Sequence, residues 1–162
     1  EAILLTHGHF DQIMAAKELK EAWNVPIYAC EKEIDVLTDG QKSLVAGYFR
    51  EPYTITPDVT VKEGDELSIA GFTWKVFETP GHTIGSCCYY IEKEEVLFSG
   101  DTLFAGSYGR TDFPTGSGRQ IAESVRRLLS TLPDDTMVYP GHMDTTTIGF
   151  EKNYNPLSGA MR

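Results

Sequence analysis

The sequence predicts an α/β layered domain, and three observations carry that expectation. Strand-like apolar runs alternate with stretches of helical period. Most runs end in turns containing Gly or Pro. A chain of 162 residues with 41% hydrophobic composition also suffices for one core without disulfide staples.

The chain opens on Ala2-Ile3-Leu4-Leu5, a continuous apolar run suited to a strand buried on both faces. Over residues 11–23, Ile13, Met14, Leu19, Ala22 and Trp23 recur near helical spacing between charged residues. One helix is expected there, with Asp11 as its N-cap or first-turn acid. Asn24-Val25-Pro26 ends it, Ile27-Tyr28-Ala29 is a short strand, and residues 31–37 form a short helix. Residues 38–58 carry Gly40, Gly47, Pro52 and Pro57 with no steady period, and read as a long surface loop with helical fragments. From Val59 the pattern is β-rich. Residues 66–70 and 72–77 form a hairpin about Gly71, and residues 87–91 and 95–98 form a second about Glu92-Lys93-Glu94. A Gly-rich segment, 100–118, precedes a helix over 120–129 whose stripe Ile121, Val125, Leu128 and Leu129 is core packing. Residues 136–139 form a last strand, and 145–152 begin a final helix. No repeat or linker interrupts residues 1–162, which read as a single domain.

The balance of 14 Lys+Arg against 24 Asp+Glu gives a net charge of −10. Such a field repels phosphate backbones and anionic headgroups, so neither nucleic acid nor a membrane surface is an expected partner. Cys30, Cys87 and Cys88 make no even disulfide framework and no C-x-x-C knuckle. They are expected to be reduced strand residues, with Cys87 and Cys88 pointing to opposite faces. No apolar run approaches the ~18 residues of a membrane span and no signal sequence is evident, so the chain reads as cytoplasmic.

The chemistry gathers at strand ends. All four histidines follow strand candidates in Gly-containing turns: Leu5-Thr6-His7-Gly8-His9, Thr79-Pro80-Gly81-His82 and Tyr139-Pro140-Gly141-His142. Phe98-Ser99-Gly100-Asp101 repeats the design with a carboxylate. Turns at the ends of strands aim side chains into one crevice. His7 and His9, two apart in extended backbone, face one side, and Asp11 follows two residues later. Imidazole and carboxylate together suit Zn, Fe, Mn or Ni, so a metal site is the strongest inference from these residues.

The stretches "LLTHGHFDQ", "TPGHTIGS", "FSGDTLF" and "YPGHMDTTTIGFEKNYNP" resemble, in order and over nearly the whole chain, the motifs of the metallo-β-lactamase fold superfamily, and within it the small glyoxalase II-like hydrolases. The resemblance implies an αββα four-layer sandwich of two mixed sheets with helices outside. It implies that His7, His9 and His82 bind a first metal, that Asp101 bridges to a second, and that Asp11 and His142 bind the second. Zn is the implied cofactor, as one or two ions, with Fe or Mn as alternatives. The family also begins with strands ahead of its H-x-H motif, so a start at Glu1 leads us to expect an N-terminally incomplete domain.

Gln12 departs from the family pattern, which places a histidine there for the second metal. A neutral amide is a poorer donor than imidazole, so a weakened second site is expected. The implied reaction is hydrolysis of a small-molecule thioester such as an acylglutathione. A metal-held hydroxide oriented by Asp11 would attack the acyl carbon, with Asp101 as the second catalytic carboxylate. Glyoxalase II enzymes hold glutathione with a C-terminal helical domain for which this chain has no room, so the thiol is left open. Two alternatives stand beside this reading. One is a mononuclear Fe(II) persulfide dioxygenase, and the other is a non-catalytic metal-binding or interaction domain with a decayed second site. Arg110 is expected to pair with Asp112 or to meet an anionic substrate, Tyr108 and Tyr154 to line the pocket, and Thr83 and Ser86 to brace the turn after His82. Oligomeric state is not legible.

Overall fold

Two sheets stacked face to face carry the architecture in the computed structural model, which describes residues 1–159. The last three residues of the predicted 1–162 domain lie outside the described residues. The elements run β1 (Ile3–Leu4), α1 (Phe10–Ile13), α2 (Ala16–Trp23), β2 (Ile27–Cys30), α3 (Ile34–Leu37, entered through a 3-10 turn at Glu31–Glu33), α4 (Val45–Tyr48) and β3 (Val59–Val61). The second half runs β4 (Glu66–Ile69), β5 (Phe72–Glu78), β6 (Cys87–Ile91), β7 (Val96–Gly100), β8 (Leu103–Phe104), β9 (Ser107–Tyr108), α5 (Gly118–Thr131), β10 (Met137–Pro140), β11 (Thr146–Thr147) and α6 (Ile148–Tyr154). One sheet is parallel, in the order β1-β2-β3, and the other is mixed, in the order β11-β10-β7-β6-β5-β4.

Three apolar clusters define four layers. Leu5, Ile13, Ala16, Ile27, Leu37 and Val45 bury the first helices against the parallel sheet. Cys30, Val61, Val76, Cys87 and Tyr89 fill the space between the sheets. Cys88, Tyr90, Leu97 and Val138 meet the stripe Ile121, Val125, Leu128 and Leu129 of α5 on the far side. The arrangement is the αββα sandwich. Because β6 is covered on both faces, all five of its residues are buried, and the adjacent thiols of Cys87 and Cys88 fall into different clusters. All three cysteines are free. Among the described residues no helix is long and apolar enough to cross a membrane.

Several details differ from the sequence expectation, and the opening run is not a strand buried on both faces, because β1 lies at the edge of its sheet and both its residues are half-buried. The helix expected over 11–23 is two, because the Tyr53 hydroxyl stands where its ladder would continue. It donates to the Ile13 carbonyl and accepts from the Lys17 amide, both at 3.1 Å, replacing their mutual bond. The final helix begins at Ile148, after the short strand β11, with the Thr147 hydroxyl accepting from Phe150 N–H as its cap. The helix expected over 120–129 starts earlier, at Gly118, capped by the Ser117 hydroxyl accepting from Gln120 N–H.

Strand direction positions the site. β5 and β7 each run antiparallel to β6, and β10 runs parallel to β7, so β5, β7 and β10 end on one edge of the sheet. His82 lies in the turn after β5, Asp101 directly follows β7, and His142 lies just past β10. The pairing of β10 with β7 shifts register between Tyr139 and Pro140, an irregularity set right beside these turns.

Candidate metal centre

His7 and His9 follow β1, and His9, in extended backbone (φ −69°, ψ 151°), directly precedes α1, so Asp11 falls in that helix's first turn. The imidazoles of His7, His9 and His82 are all but fully buried. One ligand-capable nitrogen from each lies within 4.8 Å of the others, and the rings meet nearly edge-on, with centroids 4.6 to 5.0 Å apart. His82 Nδ1 lies 2.7 Å from the Arg110 carbonyl, to which it donates. That bond leaves His82 Nε2 as the lone-pair nitrogen, 2.9 Å from His9 Nδ1 and 3.4 Å from Asp101 Oδ2. Nearer the surface, His142 Nε2 lies 2.9 Å from Asp11 Oδ2 and 3.5 Å from Asp101 Oδ2. Asp101 therefore stands between a buried trio and a half-exposed pair.

The donor set fits a divalent ion. His7 Nε2, His9 Nε2 and Asp101 Oδ1 are buried without hydrogen-bond partners. Buried polar atoms are seldom left so, and the facing atoms His9 Nδ1, His82 Nε2 and Asp101 Oδ2 bring further lone pairs together that a cation would satisfy. Burial, then the neighbouring imidazoles, holds His7 well below the ordinary histidine range, and burial together with the neighbouring His82 imidazole brings His9 to about 4. Both are thus neutral near pH 7, the form that ligates a metal. Burial also pushes the Asp101 carboxyl up, against the pull of His82 and His142.

The centre forms the floor of a cleft of about 380 Å³. Its walls are largely apolar, with Phe10, Leu44, Tyr48, Phe104, Phe113 and Met143, and Tyr108 and Arg110 also line it. Arg110 forms a two-pronged pair with Asp112, both contacts at 2.6 Å, and its guanidinium lies 4.0 Å from the centre of the Phe113 ring. Tyr154 does not join the lining. It is 69% exposed and packs against Phe150, which turns it away from the cleft. Gln12 lines a smaller neighbouring cavity, and its amide makes a long contact of 3.5 Å to Asp11 Oδ2. Thr83 and Ser86 brace the turn after His82, with hydroxyls 2.7 Å apart and the Thr83 amide donating to Ser86 Oγ at 3.1 Å.

Sequence reasoning missed Glu33, whose carboxylate also reaches this turn and is 1% exposed. Its neighbours Glu31 and Lys32 suggest a solvated surface. A usable signal was its spacing of three and four residues from Val36 and Leu37, both fully buried.

The family model of the metallo-beta-lactamase superfamily matches residues 1–142. The Haemophilus influenzae hydroxyacylglutathione hydrolase GloC is 37% identical over 160 residues, spanning 97% of this chain and 75% of that protein. The solved structure of BLEG-1 B3 metallo-beta-lactamase is similar with a TM-score of 0.89 and 40% identity, over 97% of this chain and 76% of that one. The structure of TTHA1623 in a di-iron-bound form gives a TM-score of 0.85 and 37% identity, over 96% and 76%. A fold of this kind implies divalent metal binding.

Proposed function

The chain belongs to the metallo-beta-lactamase superfamily, and from that premise we propose that it is a metal-dependent hydrolase of thioesters, with acylglutathiones the first class to test. The observation that carries this reading is the gathering of three buried imidazoles with Asp101, Asp11 and His142, all but His7 of which line one cleft. The similarity to GloC supports the thioester. In this assignment His7, His9 and His82 hold a first ion, Asp101 is shared, and Asp11 and His142 hold a second. Zinc is the first candidate, with iron and manganese as alternatives.

A divalent ion held by these residues would supply an acidified water and polarise the acyl carbonyl. Asp11 would orient a water in the cleft and hold its proton, because its carboxylate is half-exposed there and accepts from His142. A thiolate leaves readily, since thiols ionise near pH ~8.5, so the site needs no strong general acid. The apolar walls hold the substrate and thin out the water around the reacting carbonyl. Arg110 is the cationic side chain of the lining, and its charge is shared with Asp112.

The test is release of free thiol from S-lactoylglutathione and simpler acyl thioesters by protein reconstituted with zinc, iron or manganese. Thiol release that depends on the metal supports the reading. No release with any of the three metals rejects it. Oxygen uptake on glutathione persulfide by protein holding one iron would replace it with a dioxygenase.

A further inference from the structure

Glu33 has no place among the ligands, yet its carboxylate ties together the two turns that carry the buried histidines. Oε1 accepts from the Gly8 amide at 2.7 Å. Oε2 accepts from the Thr83 hydroxyl and the Gly85 amide, both at 2.9 Å. Gly8 sits between His7 and His9 after β1 of the parallel sheet, whereas Thr83 follows His82 in the turn between β5 and β6 of the mixed sheet. One side chain thus bonds across the junction of two sheets. The fit is close on both sides. A Cβ on Gly85 would stand 2.2 Å from the Glu33 backbone nitrogen, and one on Gly8 would press on Val36 and Leu37 at 3.0 to 3.2 Å.

We propose that Glu33 is a positioning residue of the first metal site, fixing the spacing of His7 and His9 relative to His82 and thereby setting the affinity for a divalent ion. The inference rests on the reading of those three imidazoles as ligands of one ion. The bonding requires acceptors at both oxygens, since two of the three donors are backbone N–H groups that cannot reverse. Glutamine keeps the shape but turns an NH₂ toward one of those donors. Aspartate keeps the charge but is one methylene too short to reach both turns. Partners that orient metal ligands typically contribute 10–100-fold in affinity.

The experiment titrates metal-free protein with zinc and, separately, with cobalt(II), whose visible absorption reports the geometry of its ligands. Glu33→Gln is expected to bind zinc roughly 10–100-fold more weakly than wild type and to alter the cobalt spectrum. Thr83→Val removes one donor of the three and should give a smaller loss in the same direction, which keeps the test decisive where Glu33→Gln does not fold. Leu128→Ala, a core change that removes none of the Glu33 hydrogen bonds, should lower stability but leave zinc affinity and the cobalt spectrum as in wild type. Wild-type zinc affinity and cobalt spectrum in Glu33→Gln, or in Thr83→Val where that variant alone folds, would overturn the proposal. An equal loss in Leu128→Ala would also overturn it, by tracing the effect to general stability. If wild type binds neither ion, the ligand reading itself has failed, an outcome separate from a wild-type centre that ignores Glu33.

Discussion

Replacing Gly141 with alanine perturbs the centre without replacing any of its ligands. A Cβ at this position would lie 2.3 Å from Asp101 Oδ1, and 3.3 to 3.4 Å from the backbone of Gly100. An ordinary contact needs 3.4 Å or more, so the carboxylate oxygen or the end of β10 must yield by about 1 Å. Gly141 is not among the residues with positive φ, so alanine brings no backbone strain, and the bond from its amide to Gly100 O at 2.8 Å is retained. The displacement therefore falls on Asp101, which faces His82 at 3.4 Å and His142 at 3.5 Å. A misplacement of about 1 Å near reacting atoms costs on the order of 10²-fold in rate, or about 2.7 kcal/mol of barrier. The assay compares kcat/KM for a thioester, metal content by elemental analysis, and the melting of metal-free protein. Turnover should fall about a hundredfold while melting shifts by only a few degrees. Gly40→Ala serves as the control, because its Cβ would meet Ala46 at an ordinary 3.7 Å. Wild-type metal content with kcat/KM within threefold of wild type in Gly141→Ala would refute the reasoning.

Gln12→His, placed 3.5 Å from Asp11, should raise affinity for a second ion by at least tenfold; stoichiometric zinc titration with no second binding step would count against the two-ion assignment. Leu128→Ala removes a fully buried side chain from the cluster under α5 and should cost about 2–5 kcal/mol in urea unfolding, whereas a cost below 1 kcal/mol would mean that the stripe is not core. Acid should weaken the metal-free protein through His7 and His9, because the unfolded chain takes up protons below about 6.5 that the native state refuses until lower pH, near 4 for His9. Glu33 acts oppositely. Burial raises its carboxyl from 4.5 to about 7, so the native state keeps a proton that the unfolded chain releases between those values. The stability of wild type relative to Glu33→Gln should therefore rise as pH falls from about 7 to 4.5, by on the order of 3 kcal/mol, and a flat difference across that window would refute the sign.

What could be read in advance and what could not divides along sequence distance. The strand ends bearing His7, His82, Asp101 and His142 are marked by an apolar run and a glycine within a few residues, and the stripe of α5 repeats within its own turns. Period two alone assigns Cys87 and Cys88 to opposite faces. The break at Met14 and Ala15 is caused by Tyr53, 36 to 40 residues away, which no local propensity reports. Glu33 is hidden for the same reason, since its donors sit 25 to 52 residues away. Tyr154 shows the reverse error, where an aromatic residue near a motif faces outward because α6 turns it toward Phe150. Arg110 and Asp112 were legible as a pair because they are two apart, but the stacking on Phe113 depends on how the loop closes.

The double coverage of β6 has a practical bearing on any reaction that liberates thiols. Burial carries Cys88 and Cys30 up to about 11 and holds Cys87 well above the ordinary thiol range. At neutral pH roughly one such group in ten thousand is a thiolate, the form that attacks disulfides and thioesters. A protein built this way can sit among acyl thioesters and the thiols they release without accepting an acyl group or forming a mixed disulfide. Colorimetric thiol reagents added to the native protein would then report the product alone, with negligible background from the three cysteines of the chain.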